Sequence, residues 1–392
     1  MHILHIISTL DPAAGGPAEG VRLLLSQSGE GTSGEVVTLD APDAPCMQNL
    51  PFPAHGLGPI HSVYGYHKRL LPWLRANRHR FDGFLLNGMW QYCGLATMLA
   101  AGRRTPYMLY AHGMLDPYFK KRFPMKHIKK ALYWYAVEFW VLRRAFRVLF
   151  TTETEQTLAR QSFALASWKS EIVPYGIEMP AAAPADLRSA FLTAVPALRG
   201  KRFLLFLGRI DPKKGCDLLV DAFCRQATEY PDLHLLMAGP GRDNWAAELE
   251  NRANQQGCAS QIHWPGILRG AAKWGAFFAS EAFILPSHQE NFGIAVAEAL
   301  ACGRPVLLSD QVNLSATIQN DGCALIEPDT AAGTLRLLQR WNALSQEQRE
   351  AMADAAATSF QRHFDLRESV RTIDRLFARA VAQRGGTSVE AR

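Results

Sequence analysis

Two short stretches in the second half of the chain combine cations, carboxylates and glycines in a way that suits an anionic ligand. The first is Phe206-Leu207-Gly208-Arg209-Ile210-Asp211-Pro212-Lys213-Lys214-Gly215, an apolar run ending in glycine, two cations five residues apart, and a second glycine opening the next element. Such a turn can set Arg209 and Lys214 over one anionic group, while Gly208 admits close backbone approach. A solvated basic turn is the competing reading, since charged side chains are mostly exposed. The second stretch runs Ile284-Leu285-Pro286-Ser287-His288-Gln289-Glu290-Asn291-Phe292-Gly293-Ile294-Ala295-Val296-Ala297-Glu298. Glu290 falls in a loop, and the amides of Phe292, Gly293 and Ile294 fall where a helix begins. Such amides, with the helix dipole, attract phosphate or developing negative charge. Glu298 follows about 12 Å along the axis and roughly 80° round. The two carboxylates therefore cannot share one proton or one metal, but can hold two ends of an elongated ligand. Glu298 sits among Ile294, Val296, Ala297, Ala299, Leu300 and Ala301, so it needs a partner.

The elements that position these residues read as strand-helix-strand units. Short apolar runs alternate with helical-period segments, the pattern of parallel sheets covered by helices. Strands are expected near 2–8, 35–39, 83–87, 106–111, 147–151 and 171–174, then near 202–207, 233–238, 282–285, 305–308 and 323–326. That gives an α/β chain of two doubly wound, Rossmann-like sheets in series. The stretch Ala181-Ala182-Ala183-Pro184-Ala185-Asp186 marks the break between them. The expected division is 1–180 and 190–364, with a last helix, about 365–384, packing back on the first domain. A cleft between two such domains is the default ligand site.

The 392 residues, 48% hydrophobic, fit two packed domains, and a net charge of +6 over that length does not itself imply a nucleic-acid partner. Seven scattered cysteines without a C-x-x-C pair suggest reduced thiols and a cytoplasmic location. His2 to Ser8 reads as a first strand rather than a targeting segment. No apolar run approaches the roughly 20 residues of a spanning helix.

G-R-x-x-x-x-K-G, then E-x-F-G-x-x-x-x-E, then Cys302-Gly303-Arg304-Pro305-Val306, closely resembles the family 4 retaining glycosyltransferases, group 1 glycosyl transferases of the two-domain GT-B fold. The resemblance implies an N-terminal acceptor domain and a C-terminal nucleotide-sugar-binding domain. It implies transfer of a sugar from a UDP- or GDP-linked donor to a saccharide or lipid-linked acceptor, commonly in bacterial surface or exopolysaccharide biosynthesis. Arg209 and Lys214 would neutralise the diphosphate, Glu298 would hold the ribose, and Glu290 would face the transferred sugar. The backbone around Gly208, Phe292, Gly293 and Ile294 would bind sugar and phosphates, and Gly266 and Ile267 would lie by the base. No metal and no cofactor are implied, and the chain contains no D-x-D.

In the first half, the loop Asp11-Pro12-Ala13-Ala14-Gly15-Gly16 lacks the G-x-G-x-x-G spacing of a dinucleotide site. By the resemblance, Gly16 would bring an amide to the donor phosphate; a tight strand-to-helix turn explains the glycines equally well. His112, after the strand Tyr107–Tyr110, resembles the family's histidine near the sugar hydroxyls, and Asp116 either binds acceptor or caps the next helix. The segment Phe119 to Arg147 holds nine Lys/Arg against one acid, Glu138, interleaved with aromatics. It suits peripheral contact with an anionic membrane on the inner face, or burial of the aromatics in the domain. The turn Pro174-Tyr175-Gly176-Ile177-Glu178 departs from the family at Tyr175 and Glu178, which weakens inference about donor and acceptor identity. Competing readings are a GT-B epimerase or phosphorylase, a nicotinamide oxidoreductase, and a non-catalytic nucleotide-sugar-binding protein.

Overall fold

The computed structural model describes residues 1–27, 32–118, 120, 124–241 and 244–386. The chain divides into two compact units: Met1–Gly176 with the segment from Asp365 onward, and Ile177–Phe364.

The first unit is a seven-stranded sheet in the order β3-β2-β1-β4-β5-β6-β7. Its strands are β1 His2–Ile6, β2 Ser33–Thr38, β3 Ala54–Gly56, β4 Gly83–Asn87, β5 Tyr107–Tyr110, β6 Arg147–Phe150 and β7 Ser170–Ile172, every pair parallel. Central strands such as β4, Gly-Phe-Leu-Leu-Asn, are buried on both faces, which is why they read as unbroken apolar runs. The last helix, Leu366–Gly386, covers one face: its Ile373, Leu376 and Phe377 share a core with Ile3, Leu85, Met108 and Leu149.

The second unit is a six-stranded sheet in the order β10-β9-β8-β11-β12-β13. Here β8 is Arg202–Leu207, β9 Leu233–Ala238, β10 Ile262–Gly266, β11 Ala282–Leu285, β12 Val306–Ser309 and β13 Ala324–Glu327, again all parallel. Each sheet reverses its winding once, between β1 and β4 in the first and between β8 and β11 in the second. In such sheets ligands bind beyond the carboxyl ends of the strands flanking that reversal.

Two strands escape the sequence pattern. β3 has only three residues, and β10 contains Trp264-Pro265 with an irregular register between His263 and Gly266. The expectation of reduced thiols throughout is also corrected. Cys224, on the helix Cys216–Gln226, and Cys258, just after the helix Trp245–Gln255, form a disulfide with Cα atoms 5.3 Å apart. They lie 34 residues apart in sequence, so their pairing depends on helix packing that spacing does not reveal. Among the described residues no helix is long and apolar enough to cross a membrane.

Candidate active site

The two motif stretches occupy the ends of the strands that flank the reversal in the second unit. Gly208 to Gly215 follows β8 and Pro286 to Gly293 follows β11, adjacent strands in the sheet. After β8 the chain makes a short 3-10 turn, Pro212–Lys214, whose first amides are organised by Asp211: its Oδ1 accepts from the Lys213 amide at 2.9 Å. Gly215 is left-handed at φ 65° and opens the helix Cys216–Gln226. A Cβ there would lie 2.0 Å from the Pro286 carbonyl oxygen, so glycine is what lets the turn close on the neighbouring loop.

That contact is reinforced. The Lys213 carbonyl accepts from the Ser287 hydroxyl at 3.0 Å and the His288 amide at 2.9 Å. The two loops are thus fixed to one another before any ligand arrives. Lys214 then meets Glu290: its Nζ donates to Oε2, with both side chains mostly buried, 15% and 18% exposed. Burial lowers the Lys214 ammonium to about 7, with repulsion from Lys213 and Arg209 adding to it. The Glu290 carboxylate works in the opposite direction. Arg209 is exposed beside them. Glu290 is held by its own backbone, its amide donating to the Gln311 carbonyl at 3.1 Å and its carbonyl accepting from the Asn313 amide at 3.0 Å.

Beyond Glu290, Phe292 turns its ring inward against Phe364, so only its backbone can serve a ligand. Gly293 is left-handed at φ 78° and starts the helix Ile294–Ala301 without a side-chain cap. The opening amides of that helix therefore have no side-chain acceptor from its N-cap. Glu298 on this helix is 5% exposed. Its partner is Lys273, whose Nζ donates to Oε1 at 2.6 Å from the helix Gly270–Ala279. The apolar neighbours of Glu298 in sequence demand a partner without identifying it. The available signal is that Lys273 is the sole charged residue of an otherwise apolar helix.

The loops after β9 and β10 complete the rim. The Gly239 amide donates to the Gly266 carbonyl at 2.8 Å and the Ile210 amide to that of Pro240 at 2.9 Å. Gly239 lies so close to Gly208 that a Cβ would sit 1.8 Å from the Gly208 oxygen. Gly266 is exposed with φ 72°, and Ile267 holds 51% of its surface open, an apolar side chain offered at the lip. Arg209, Lys214, Glu290, Glu298, Gly208, Gly266, Ile267, Phe292, Gly293 and Ile294 all belong to this one unit.

The remaining expected residues lie in the first unit. Gly16 is the first residue of the helix Gly16–Ser26, and Gly15, with φ 88°, is the position that needs glycine. His112 follows β5 with φ 51°, an unusual conformation for a non-glycine residue. It is stacked between Tyr110 and Tyr175, at 5.3 and 5.7 Å between ring centres, and its Nδ1 meets the Tyr175 hydroxyl. Burial depresses the imidazole to about 3, so it is neutral. With the Tyr175 hydroxyl as the donor to Nδ1, the neutral ring carries its proton at Nε2. That nitrogen is buried without a hydrogen-bond partner among the described residues.

The histidine loop is pinned by buried Glu155, which accepts from the Gly113 amide at 2.5 Å and the Thr151 amide at 2.7 Å. Neither Tyr175 nor Glu155 is a site residue by sequence reasoning, which marks Tyr175 only as a departure from the family pattern. Asp116 accepts from the Tyr118 amide at 2.8 Å, the local capping geometry weighed against acceptor binding. Phe119, Lys121 and Arg122 of the basic-aromatic segment lie outside the described residues. Among the described residues no group of three or more His, Cys, Asp or Glu could hold a metal ion.

Comparison with known proteins gives this arrangement its family. Residues 193–359 match the model of glycosyl transferases group 1, and residues 11–176 match that of the glycosyl transferase 4-like domain. The chain belongs to the group 1 glycosyltransferases. Among its relatives are D-inositol 3-phosphate glycosyltransferases. That of Jonesia denitrificans is 28% identical over 211 residues, covering 50% of this chain and 49% of the relative. That of Xylanimonas cellulosilytica is 29% identical over 224 residues, 54% and 52% of the two chains. The chain thus spans about half the length of the curated relatives it matches. Solved structures share the GT-B fold over nearly the whole chain. Sucrose-phosphate synthase from Thermosynechococcus elongatus aligns with a TM-score of 0.74 at 20% identity, over 98% of this chain and 100% of that one. HepE from Anabaena, in complex with UDP and glucose, aligns with a TM-score of 0.77 at 15% identity, over 96% and 99%.

Proposed function

We propose that this group 1 glycosyltransferase moves a sugar from a UDP- or GDP-linked donor to a saccharide or lipid-linked acceptor, retaining the anomeric configuration and needing no metal. The observation that carries the reading is the two part-buried ion pairs, Lys214–Glu290 and Lys273–Glu298, set at either end of the Glu290 to Glu298 segment with an uncapped helix start between them. A site of this kind offers cations to a diphosphate, amides to its oxygens, and a carboxylate to each of two hydroxyl-bearing ends. HepE, which shares the fold and was solved in complex with UDP-glucose, supports the nucleotide sugar as the ligand class.

In this reading Arg209 and Lys214 neutralise the departing diphosphate, the charge that grows as the glycosidic bond breaks. Preorganised cations and amides aimed at that charge lower the barrier. The first amides around Phe292, Gly293 and Ile294 take the phosphate and sugar oxygens, Gly208 admits the diphosphate to the backbone, and Glu298 holds the ribose. Gly266 and Ile267 pack the base. Glu290 faces the transferred sugar and positions it rather than attacking it. Departure and attack take place on one face of an oxocarbenium-like ion pair, and the leaving phosphate accepts the acceptor's proton. His112 donates from Nε2 to a hydroxyl of the sugar, Gly16 offers an amide to the donor phosphate, and Asp116 serves the acceptor. The acceptor product belongs to surface or exopolysaccharide assembly in the cytoplasm.

Thermal unfolding with UDP, GDP and their sugar conjugates tests the ligand class. A ligand at 100 times its Kd stabilises by about 2.7 kcal/mol, so a clear rise in Tm is expected with one nucleotide series. No rise with any of them would remove the nucleotide sugar as ligand.

A further inference from the structure

The helical segment from Pro124 to Arg144 carries a surface that the transfer reaction does not use. It runs as α-helix over Pro124–Tyr133, as a π turn over Trp134–Glu138, and as α-helix again over Phe139–Arg144. Five large side chains along it are open to solvent: Met125 at 73%, Ile128 at 57%, Leu132 at 73%, Tyr135 at 51% and Trp140 at 44%. Positions 125, 128, 132 and 135 share one face of an α-helix. The next position on that face of an uninterrupted helix is 139.

The π turn changes which residue takes it. One extra residue in the turn rotates the helical segment beyond it, so Phe139 is only 9% exposed and Trp140 continues the outward row. The apolar stripe is thereby extended rather than broken, to about 22 Å at 1.5 Å per residue. A patch of this kind on a surface marks an interaction site.

Charge identifies what it meets. Lys129, Arg143 and Arg144 are exposed on the same segment. The sole acid between Pro124 and Arg144, Glu138, is fully buried and accepts from the Trp90 amide at 2.5 Å. Lys130 lies 4.5 Å over the Trp90 ring. The exposed face of this segment therefore combines large apolar side chains with positive charge and presents no negative charge. A second copy docked by a two-fold axis would bring these cations against themselves. A bilayer with anionic headgroups fits both properties, the aliphatic side chains entering the acyl boundary, Tyr135 and Trp140 lying at headgroup depth, and the cations meeting lipid phosphates.

We propose that the face formed by Met125, Ile128, Lys129, Leu132, Tyr135, Trp140 and Arg143 docks the protein on an anionic lipid bilayer, with the helix lying in the interface plane. The proposal stands apart from the donor chemistry of the second unit.

The test is flotation of the full chain with vesicles of phosphatidylcholine alone and of phosphatidylcholine mixed with phosphatidylserine, at low and high salt. Two variants accompany it, Ile128→Ser with Leu132→Ser, and Lys129→Glu with Arg143→Glu. All four positions are exposed, and far-UV circular dichroism and Tm confirm that each variant is folded. The protein is expected to float with the anionic vesicles only, and less so at high salt. Each surface cation is worth about five-fold in partitioning, the equivalent of about 1 kcal/mol, so the charge variant should bind at least about 25-fold more weakly. The serine variant should lose binding as well. Failure to float with anionic vesicles at low salt overturns the proposal, and so does wild-type binding by both variants. A dimer in sedimentation velocity that the serine variant dissolves, with no vesicle binding, overturns it in favour of a second copy.

Discussion

Lys214 gives the donor site a dependence on pH whose sign is set by its surroundings. Burial, then repulsion from Lys213 and Arg209, brings its ammonium to about 7 in the free protein. An arriving diphosphate adds negative charge beside it and raises that value again. Binding and protonation are therefore linked: affinity is full below the free value and is lost as pH rises through it. Lys214 is about half protonated at pH 7 and about one per cent protonated at pH 9, a ratio of roughly 50, or ~2.3 kcal/mol. Glu290, in contact with the ammonium, favours the charged form and reduces the effect. A fall in affinity between pH 7 and 9, of up to about 50-fold, is expected on this ground. Calorimetric titration with UDP or GDP at fixed ionic strength, in two buffers of different ionisation enthalpy, reads both affinity and proton uptake. Uptake should approach one proton per site at pH 8 and above. Lys214→Arg, always charged, should bind with little pH dependence. Wild-type affinity that is flat from pH 7 to 9 with no proton uptake would refute the reasoning.

Other substitutions probe the remaining contacts. Glu298→Gln removes the charged hydrogen bond proposed for the ribose and leaves Lys273 without its carboxylate; donor affinity measured by calorimetry should fall by about 1.5–3 kcal/mol. Tyr175→Phe removes the hydroxyl that meets His112 Nδ1 and with it the ring's hydrogen-bonded anchor; kcat should fall about tenfold while KM for donor changes little, an effect of about 1.4 kcal/mol, and equal kcat values would exclude a positioning role. Gly215→Ala forces a Cβ against the Pro286 oxygen in a left-handed turn; urea unfolding should show a loss of about 1–3 kcal/mol, with weaker nucleotide binding.

The sheets are legible in the sequence because a strand buried on both faces has little choice of residue. β4, β5, β8, β9 and β11 are apolar nearly throughout, and their boundaries fall within a residue or two of those expected. β3 and β10 are illegible for the opposite reason, one being too short and the other interrupted by Trp264-Pro265. The motif residues around Gly208 and Glu290 can be named because glycines and charges stand out against apolar strands. Hidden from the sequence are partners distant along the chain. Lys273 reaches Glu298 across 25 residues, Tyr175 reaches His112 across 63, and Cys224 reaches Cys258 across 34. Each of these pairings is set by how helices and loops pack, and no local spacing encodes it. The π turn at Trp134–Glu138 is a further case: a helical reading of 125–140 would place Phe139 outward, and one inserted residue reverses the assignment.

Metal-independent sugar transfer from a nucleotide donor is tested most directly by measuring nucleoside diphosphate released from a panel of UDP- and GDP-sugars, with and without chelator, for the wild type and Lys214→Ala. Release from at least one donor is expected, unchanged by chelator and strongly reduced in Lys214→Ala. Release abolished by chelator, or turnover of Lys214→Ala equal to wild type, would contradict it.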